Sequence, residues 1–290
     1  MTDYVFGLVD VFAELPLSGN PLAVVEGADA LDDDVLRQIA REFNQAETTF
    51  VMRSVAADWK LRSFTANGAE VFGAGHNALG AWLWLGYRGL LGDLGEHTTF
   101  RQEIGGKVLP ITLHKCGGLI HGSMKQSSLK LLPPLADLGS LTEALGLAAG
   151  DLLTYPPPRA ADTGAAHLMV RAPDRATVDR AEPAAEKLVH VLKPAGAEGC
   201  YLYAIDEANP GSAYARFFNP TVGLWEDSAT GTAAGPLCAY LGKEGLLPDD
   251  RILIEQGARM GRPSLLNVRL SPNPELSGSG VVVLRGTLRL

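Results

Sequence analysis

Two stretches of this chain align with each other. The first, RSFTANGAEVFGAGHNALGAWLWLGYRGLL, runs from Arg62 to Leu91. The second, RFFNPTVGLWEDSATGTAAGPLCAYLGKEGLL, runs from Arg216 to Leu247. With Glu70 placed on Glu226, 22 positions match without a gap and eight are identical, including Gly75/Gly231, Leu85/Leu241, Gly86/Gly242 and Gly89-Leu90-Leu91 on Gly245-Leu246-Leu247. Two extra residues in the second loop bring Arg62 onto Arg216 and Phe64 onto Phe218. Chance supplies roughly one or two identities at ordinary residue frequencies. The match reads as an internal duplication with low surviving identity, so whatever one half forms the other is expected to form too.

The segments upstream agree more weakly. Asn20-Pro-Leu-Ala-Val-Val25 resembles Ala165-Ala-His-Leu-Met-Val170. Each is an apolar strand candidate followed by an acidic, Ala/Leu-rich helix candidate: Asp32 to Phe43 in one case, Asp174 to Val191 with a break at Pro183 in the other. Strand pairs follow, at Thr48–Met52 and Trp59–Phe64, and at Cys200–Ile205 and Ala213–Phe218. The matched glycine turns then open helices over Gly75–Tyr87 and Gly231–Lys243. Both helices are apolar nearly all round, which predicts burial. The expected fold is α+β, in two pseudo-symmetric halves, each a β-sheet rolled around a central helix. The halves are placed at 1–120 and 121–290, with a seam in the Gly/Ser/Pro-rich stretch Gly117–Pro134 and a last strand near 281–290 that returns to the first half. Asn273–Gly280 reads as a short polar loop.

Composition narrows the function. The length, 290 residues, suits one large domain or two of about 130–150 residues. The net charge is −8 and no Lys/Arg cluster appears, so nucleic acid is not expected as a partner. Nor is a membrane, because no run of 18 apolar residues exists. The N-terminus lacks a basic n-region and does not read as a signal peptide. Cys116, Cys200 and Cys238 form neither a CxxC pair nor a disulfide framework, and are expected to be small buried hydrophobes in a reducing cytoplasm. The six histidines show no HxH or HExxH spacing, so no metal is expected.

The residues able to carry chemistry cluster at the two glycine turns. Phe72-Gly-Ala-Gly-His-Asn-Ala-Leu-Gly80 and Asp227-Ser-Ala-Thr-Gly-Thr-Ala-Ala-Gly235 each put small residues at the first turn of an apolar helix. Free N–H groups and the helix dipole favour an anion there. In a duplicated chain two such turns could grip one carboxylate from two sides of a cleft; the glycines could equally serve close packing alone. The spacing is not GxGxxG, and no Lys-Ser/Thr follows, so no nucleotide site is read. His76 follows one glycine, and Thr232 holds the matching place in the other half. Asp227 stands just ahead of the second helix, as an acid/base group or as a helix cap. Glu47 lies between an acidic helix and a strand, either as a solvated loop residue or as a desolvated carboxylate suited to proton transfer.

Read in order, Val9-Asp-Val-Phe12, Gly19-Asn-Pro-Leu-Ala-Val-Val25, Asn44-Gln-Ala-Glu-Thr-Thr-Phe50, Arg62-Ser-Phe-Thr65, Gly75-His76, Arg216-Phe-Phe-Asn-Pro220, Glu226-Asp-Ser-Ala-Thr-Gly-Thr-Ala233 and Glu255-Gln-Gly257 resemble the PhzF-like family of phenazine biosynthesis from end to end. That family is similar in fold to diaminopimelate epimerase. The resemblance implies a cofactor-independent isomerase that moves a proton on a small carboxylic acid, of the dihydro-hydroxyanthranilate isomerase type. It makes Glu47 the catalytic acid/base and His76 and Asp227 active-site partners. Thr232 stands where the family has a serine. Gly75, Asn77, Thr230 and Gly231 would bind the substrate carboxylate. No cofactor is implied, and a homodimer is. The related racemases use a cysteine at each helix start; here Ala74 and Thr230 stand there, so a two-thiol mechanism is not open to this chain. An epimerase, racemase or lyase of another small acid on the same frame, or a non-catalytic small-acid binder, are the alternatives.

Overall fold

The structure, a computed structural model, describes all 290 residues except Gly223, and the side chains of all the others but Val222 and Leu224. In chain order the strands are β1 (Asp3–Val11), β2 (Asn20–Glu26), β3 (Glu47–Met52), β4 (Trp59–Thr65), β5 (Glu70–Val71), β6 (Thr98–Ile104), β7 (Lys107–Cys116), β8 (Leu119–Lys125), β9 (Lys130–Pro134), β10 (Arg159–Asp162), β11 (Ala166–Arg171), β12 (Gly199–Ile205), β13 (Ser212–Asn219), β14 (Leu224–Asp227), β15 (Arg251–Gln256), β16 (Ser264–Leu270) and β17 (Pro274–Arg289). The helices are α1 (Asp33–Phe43), α2 (His76–Tyr87), α3 (Leu138–Ala144), α4 (Arg175–Arg180), α5 (Ala185–Ala195) and α6 (Gly231–Lys243). The chain divides into two compact units, Met1–Lys125 with Ser277–Leu290, and Gln126–Leu276. Strand and helix are mixed within each, so the fold is α+β.

In the first unit, β1 and β2 are antiparallel, β2 and β3 parallel, β3 and β4 antiparallel, β4 and β6 parallel, and β6 and β7 antiparallel. Parallel neighbours need a crossover, and α1 supplies it between β2 and β3. Asp32 caps α1 by accepting from the Val35 N–H at 2.9 Å. The apolar face of α1 (Leu36, Ile39, Ala40) packs on Val25, Phe50 and Phe64. The helix α2 carries no polar stripe: His76 to Leu85 are all buried, against β1, β2, β3 and β8. A helix without a wet face needs partners on every side. Its two tryptophans find them, Trp82 donating to Gln102 Oε1 at 3.0 Å and Trp84 to Glu26 Oε1 at 2.7 Å. Gly7 makes room for Trp84; a Cβ there would lie 2.2 Å from the indole.

The second unit takes the same succession of steps: β10/β11 antiparallel, β11/β12 parallel, β12/β13 antiparallel, β13/β15 parallel, β15/β16 antiparallel. Between β11 and β12 run α4 and α5, packed on Leu168, Val170, Leu202 and Phe218. The second apolar helix, α6, is buried from Ala233 to Leu241 against β10, β11, β15 and β16.

Two expectations need correction. Asn273–Gly280 is not a loop: from Pro274 it belongs to β17. Its Ser and Gly residues give a poor strand signal, but Gly278 lies against the Phe12 ring and the Ser279 hydroxyl donates to Ala13 O at 3.1 Å, so small side chains suit the packing. Cys116 is exposed rather than buried, because it ends β7 beside the Gly117-Gly118 turn. Cys200 and Cys238 are buried, and all three thiols are free.

Candidate active site

In the first unit the residues singled out lie at the start of β3 and at the start of α2. Glu47 opens β3, half-buried, paired with Leu22 on one side and Thr65 on the other. Strand side chains alternate, so Glu47 shares a face with Thr49. Thr49 Oγ1 lies 2.9 Å from Ser63 Oγ and 3.4 Å from Asn77 O, so that face looks onto the first turn of α2.

Asn77 shapes the turn. Its Oδ1 accepts from the Gly75 N–H at 2.7 Å; its Nδ2 donates to Gly73 O at 3.0 Å and Ser63 Oγ at 3.1 Å. Both ends of the amide are thus engaged with the protein, and the Gly73–Gly75 loop is fixed. Gly75 is the N-cap and offers no side-chain cap. His76, the first helical residue, is 8% exposed, and its Nε2 is buried with no hydrogen-bond partner among the described residues. Burial pushes its pKa down to about 4, so the ring is neutral at physiological pH. The positive end of the helix dipole acts in the same direction.

In the second unit, Asp227 ends β14 and Thr230 is the N-cap of α6, so Asp227 lies three residues ahead of the cap. The Thr230 hydroxyl donates to Asp227 Oδ2 at 2.7 Å and accepts from Gln256 Nε2 at 2.9 Å. Gln256 Nε2 also donates to Asp227 O at 2.8 Å, while Gln256 Oε1 accepts from Tyr201 Oη at 2.9 Å and from the Thr230 N–H at 3.2 Å. Gln256 is fully buried. One amide therefore ties Asp227 and Thr230 to β12, and Gly257 (φ 78°) lets the chain pass Ser228 with no room for a Cβ. Gly231 O accepts from Gln126 Nε2 at 2.9 Å, and Thr232 Oγ1 lies 3.2 Å from His167 Nε2.

Sequence reasoning missed two of these residues. Gln256 stood inside the quoted Glu255-Gln-Gly257 motif without a role. His167 sat in a segment read only as an apolar strand. Among the described residues no three His, Cys, Asp or Glu side chains gather as a metal-binding group.

The family model PhzC-PhzF, phenazine biosynthesis-like protein, covers residues 9–286. The chain belongs to that family. The trans-2,3-dihydro-3-hydroxyanthranilate isomerase of Pseudomonas chlororaphis is 32% identical over 297 residues, 98% of each chain. The uncharacterized isomerase YddE of Escherichia coli K12 is 30% identical over 289 residues, 95% of each. The crystal structure of a Bacillus anthracis PhzF-family phenazine biosynthesis protein superposes with a TM-score of 0.89 at 26% identity over the full length of both chains. This PhzF-family chain is an isomerase.

Proposed function

We propose that the protein shifts a proton along a small carboxylic acid, in the manner of a dihydro-hydroxyanthranilate isomerase, and that each helix start is suited to an anionic group. One observation carries the reading. His76 Nε2 is a buried polar atom without a partner, at the first turn of a helix whose N–H groups favour an anion. Leaving such an atom unsatisfied costs about 1–3 kcal/mol, a cost that a bound ligand would offset.

The chemistry follows from the side chains. The N–H groups at Gly75 in one unit and at Gly231 in the other are each offered to an anionic oxygen of a carboxylate. Glu47 removes a proton from one carbon; the C–H electron pair becomes a new C=C bond as the old one migrates. The protonated Glu47 then delivers its proton to a second carbon, so charge and atoms balance. His76, neutral, hydrogen-bonds the substrate. Asp227, held by Thr230 and aligned by Gln256, and the Thr232 hydroxyl are active-site partners that hydrogen-bond the substrate without taking the migrating proton. A base, its conjugate acid and an anion cradle suffice for this step, and side chains supply all three. Asn77 and Thr230 act by holding the cradle in shape.

The two units are read as copies of one ancestral half, each a sheet rolled around its helix, α2 or α6. The repeated order of strand pairings and the matched Arg62–Glu70 and Arg216–Glu226 pairs support this. A homodimer is proposed, for which light scattering should give twice 30.7 kDa, and so is a cytoplasmic setting, with which the three free thiols agree.

The test is incubation with trans-2,3-dihydro-3-hydroxyanthranilate in deuterium oxide, followed by NMR. Migration of the ring double bond is expected, with deuterium at the receiving carbon to the extent that the protonated Glu47 exchanges with solvent before it delivers. Label exchange without bond migration would favour an epimerase, and binding without either would favour a non-catalytic protein.

A further inference from the structure

His167 lies outside the set of residues that the resemblance assigns, yet the fold brings it to Thr232. It is the second residue of β11, paired in parallel register with Gly199. In the first unit the corresponding parallel pair is Leu22 with Glu47. The place beside the acid/base strand is thus filled by leucine in one unit and by an imidazole in the other. The swap is reciprocal at the helices, where His76 stands in one and Thr232 in the other.

The ring is held firmly. It is 2% exposed, and Phe217 meets it edge-on at 4.9 Å and 84°. Gly199 makes that possible, since a Cβ there would lie 2.4 Å from Phe217 Cζ. Burial pushes the His167 pKa down to about 4, with Asp162 acting weakly in the other direction. The imidazole is therefore neutral and carries one N–H.

Which nitrogen carries it decides what Thr232 does. Nδ1 is buried with no partner among the described residues, whereas Nε2 faces Thr232 Oγ1 at 3.2 Å. A buried N–H without an acceptor is among the rarest features of folded proteins. The proton therefore belongs on Nε2, donated to the threonine oxygen, with a bare lone pair at Nδ1. The Thr232 oxygen then accepts from the ring, and its own proton has no other acceptor among the described residues. Thr232 is only half-buried, so that proton is available to a ligand.

We propose that His167 is a positioning residue that fixes Thr232 as a hydrogen-bond donor to an anionic oxygen of the substrate. This rests on the proposed proton-transfer reading for its substrate, but not for its tautomer. The alternative, a base that strips the Thr232 hydroxyl, needs the proton on Nδ1, where nothing accepts it.

The experiment has two arms. In the first, nitrogen-15 NMR of the imidazoles in the ligand-free protein identifies the His167 tautomer between pH 5 and 8. The Nε2–H form throughout is expected, with its shifts moved in Thr232→Val; the Nδ1–H form would overturn the proposal. In the second, turnover of trans-2,3-dihydro-3-hydroxyanthranilate is compared for His167→Leu and His167→Gln. Leucine removes the donor and should lower kcat/KM by at least about tenfold, roughly one net hydrogen bond. Glutamine restores an N–H near the ring Nε2 and should return activity to within about threefold of the parent, with an unaltered pH profile. Glutamine as damaging as leucine, in a protein still folded by circular dichroism, would overturn the proposal. No turnover by the parent, with the Nε2–H tautomer seen, would instead overturn the substrate reading on which the proposal rests.

Discussion

Arg216 holds Glu226 through Nε and Nη2, both at 2.8 Å. Arg62 holds Glu70 with the same atoms and the same two distances. Each guanidinium also lies over a phenylalanine two residues on, Phe218 at 4.8 Å and Phe64 at 5.1 Å. Each pair bridges two antiparallel strands just ahead of the glycine turn, β4 to β5 for Arg62–Glu70 and β13 to β14 for Arg216–Glu226. The two pairs differ in depth. The Arg216 side chain is 7% exposed and Nη1 donates to Ala181 O at 2.8 Å, while Arg62 is 21% exposed and reaches the surface residue Asp33.

That difference predicts unequal costs. Arg216→Met leaves a buried carboxylate alone and should cost about 3–5 kcal/mol. Arg62→Met, at a wetter pair, should cost about 1–2 kcal/mol, allowing for solvent screening. Denaturant midpoints of the two variants measure the contrast; equal losses would mean that depth does not govern these pairs.

Gln256 is expected to matter more than its distance from any chemistry suggests. Gln256→Leu removes the acceptor of the Tyr201 hydroxyl and the Thr230 N–H and one donor to Asp227 O together. It should destabilise by about 2–4 kcal/mol and lower turnover even where the variant remains folded. Tyr201→Phe removes one donor only, and Thr230 N–H still serves Gln256 Oε1, so it should cost about 1 kcal/mol.

The two buried imidazoles predict how stability varies with pH. His76 and His167 are both pushed down to about 4 in the folded protein, whereas an unfolded histidine titrates near 6.5. Between those values the unfolded chain binds the protons and the folded chain does not, so stability rises with pH across the window. Their contribution is complete above about pH 6.5 and is lost as pH falls towards 4. Each ring accounts for a few kcal/mol, on the order of 3. Denaturant midpoints at pH 7 and pH 4.5 should differ less in His76→Asn than in the parent; an equal difference would mean that this ring protonates freely.

Much of this is legible in the sequence. The all-round apolar runs Ala78–Leu85 and Ala233–Leu241 announce buried helices, and the Gly75/Gly231 match places both helix starts. Periodicity also finds β2, β3, β4, β12 and β13 because they are rich in apolar side chains. It misses the first part of β17, where Ser277, Gly278, Ser279 and Gly280 are chosen for close packing rather than strand propensity. His167 and Gln256 were hidden for a different reason. Their partners lie 65 residues away at Thr232 and 55 residues away at Tyr201, and only the fold brings them together. A polar residue in an apolar strand announces that it needs a partner without saying which.

The central claim is that Glu47 carries the proton. Glu47→Gln keeps shape and hydrogen bonding but cannot change charge, so the most direct measurement is its kcat on trans-2,3-dihydro-3-hydroxyanthranilate beside its affinity for the unreactive carboxylate anthranilate. The account predicts a loss of about 10²–10⁴ in kcat, no deuterium uptake, and anthranilate affinity within about threefold of the parent, since only general acid/base catalysis is removed. Turnover and deuterium uptake within about threefold of the parent would contradict it and move the base to His76 or Asp227.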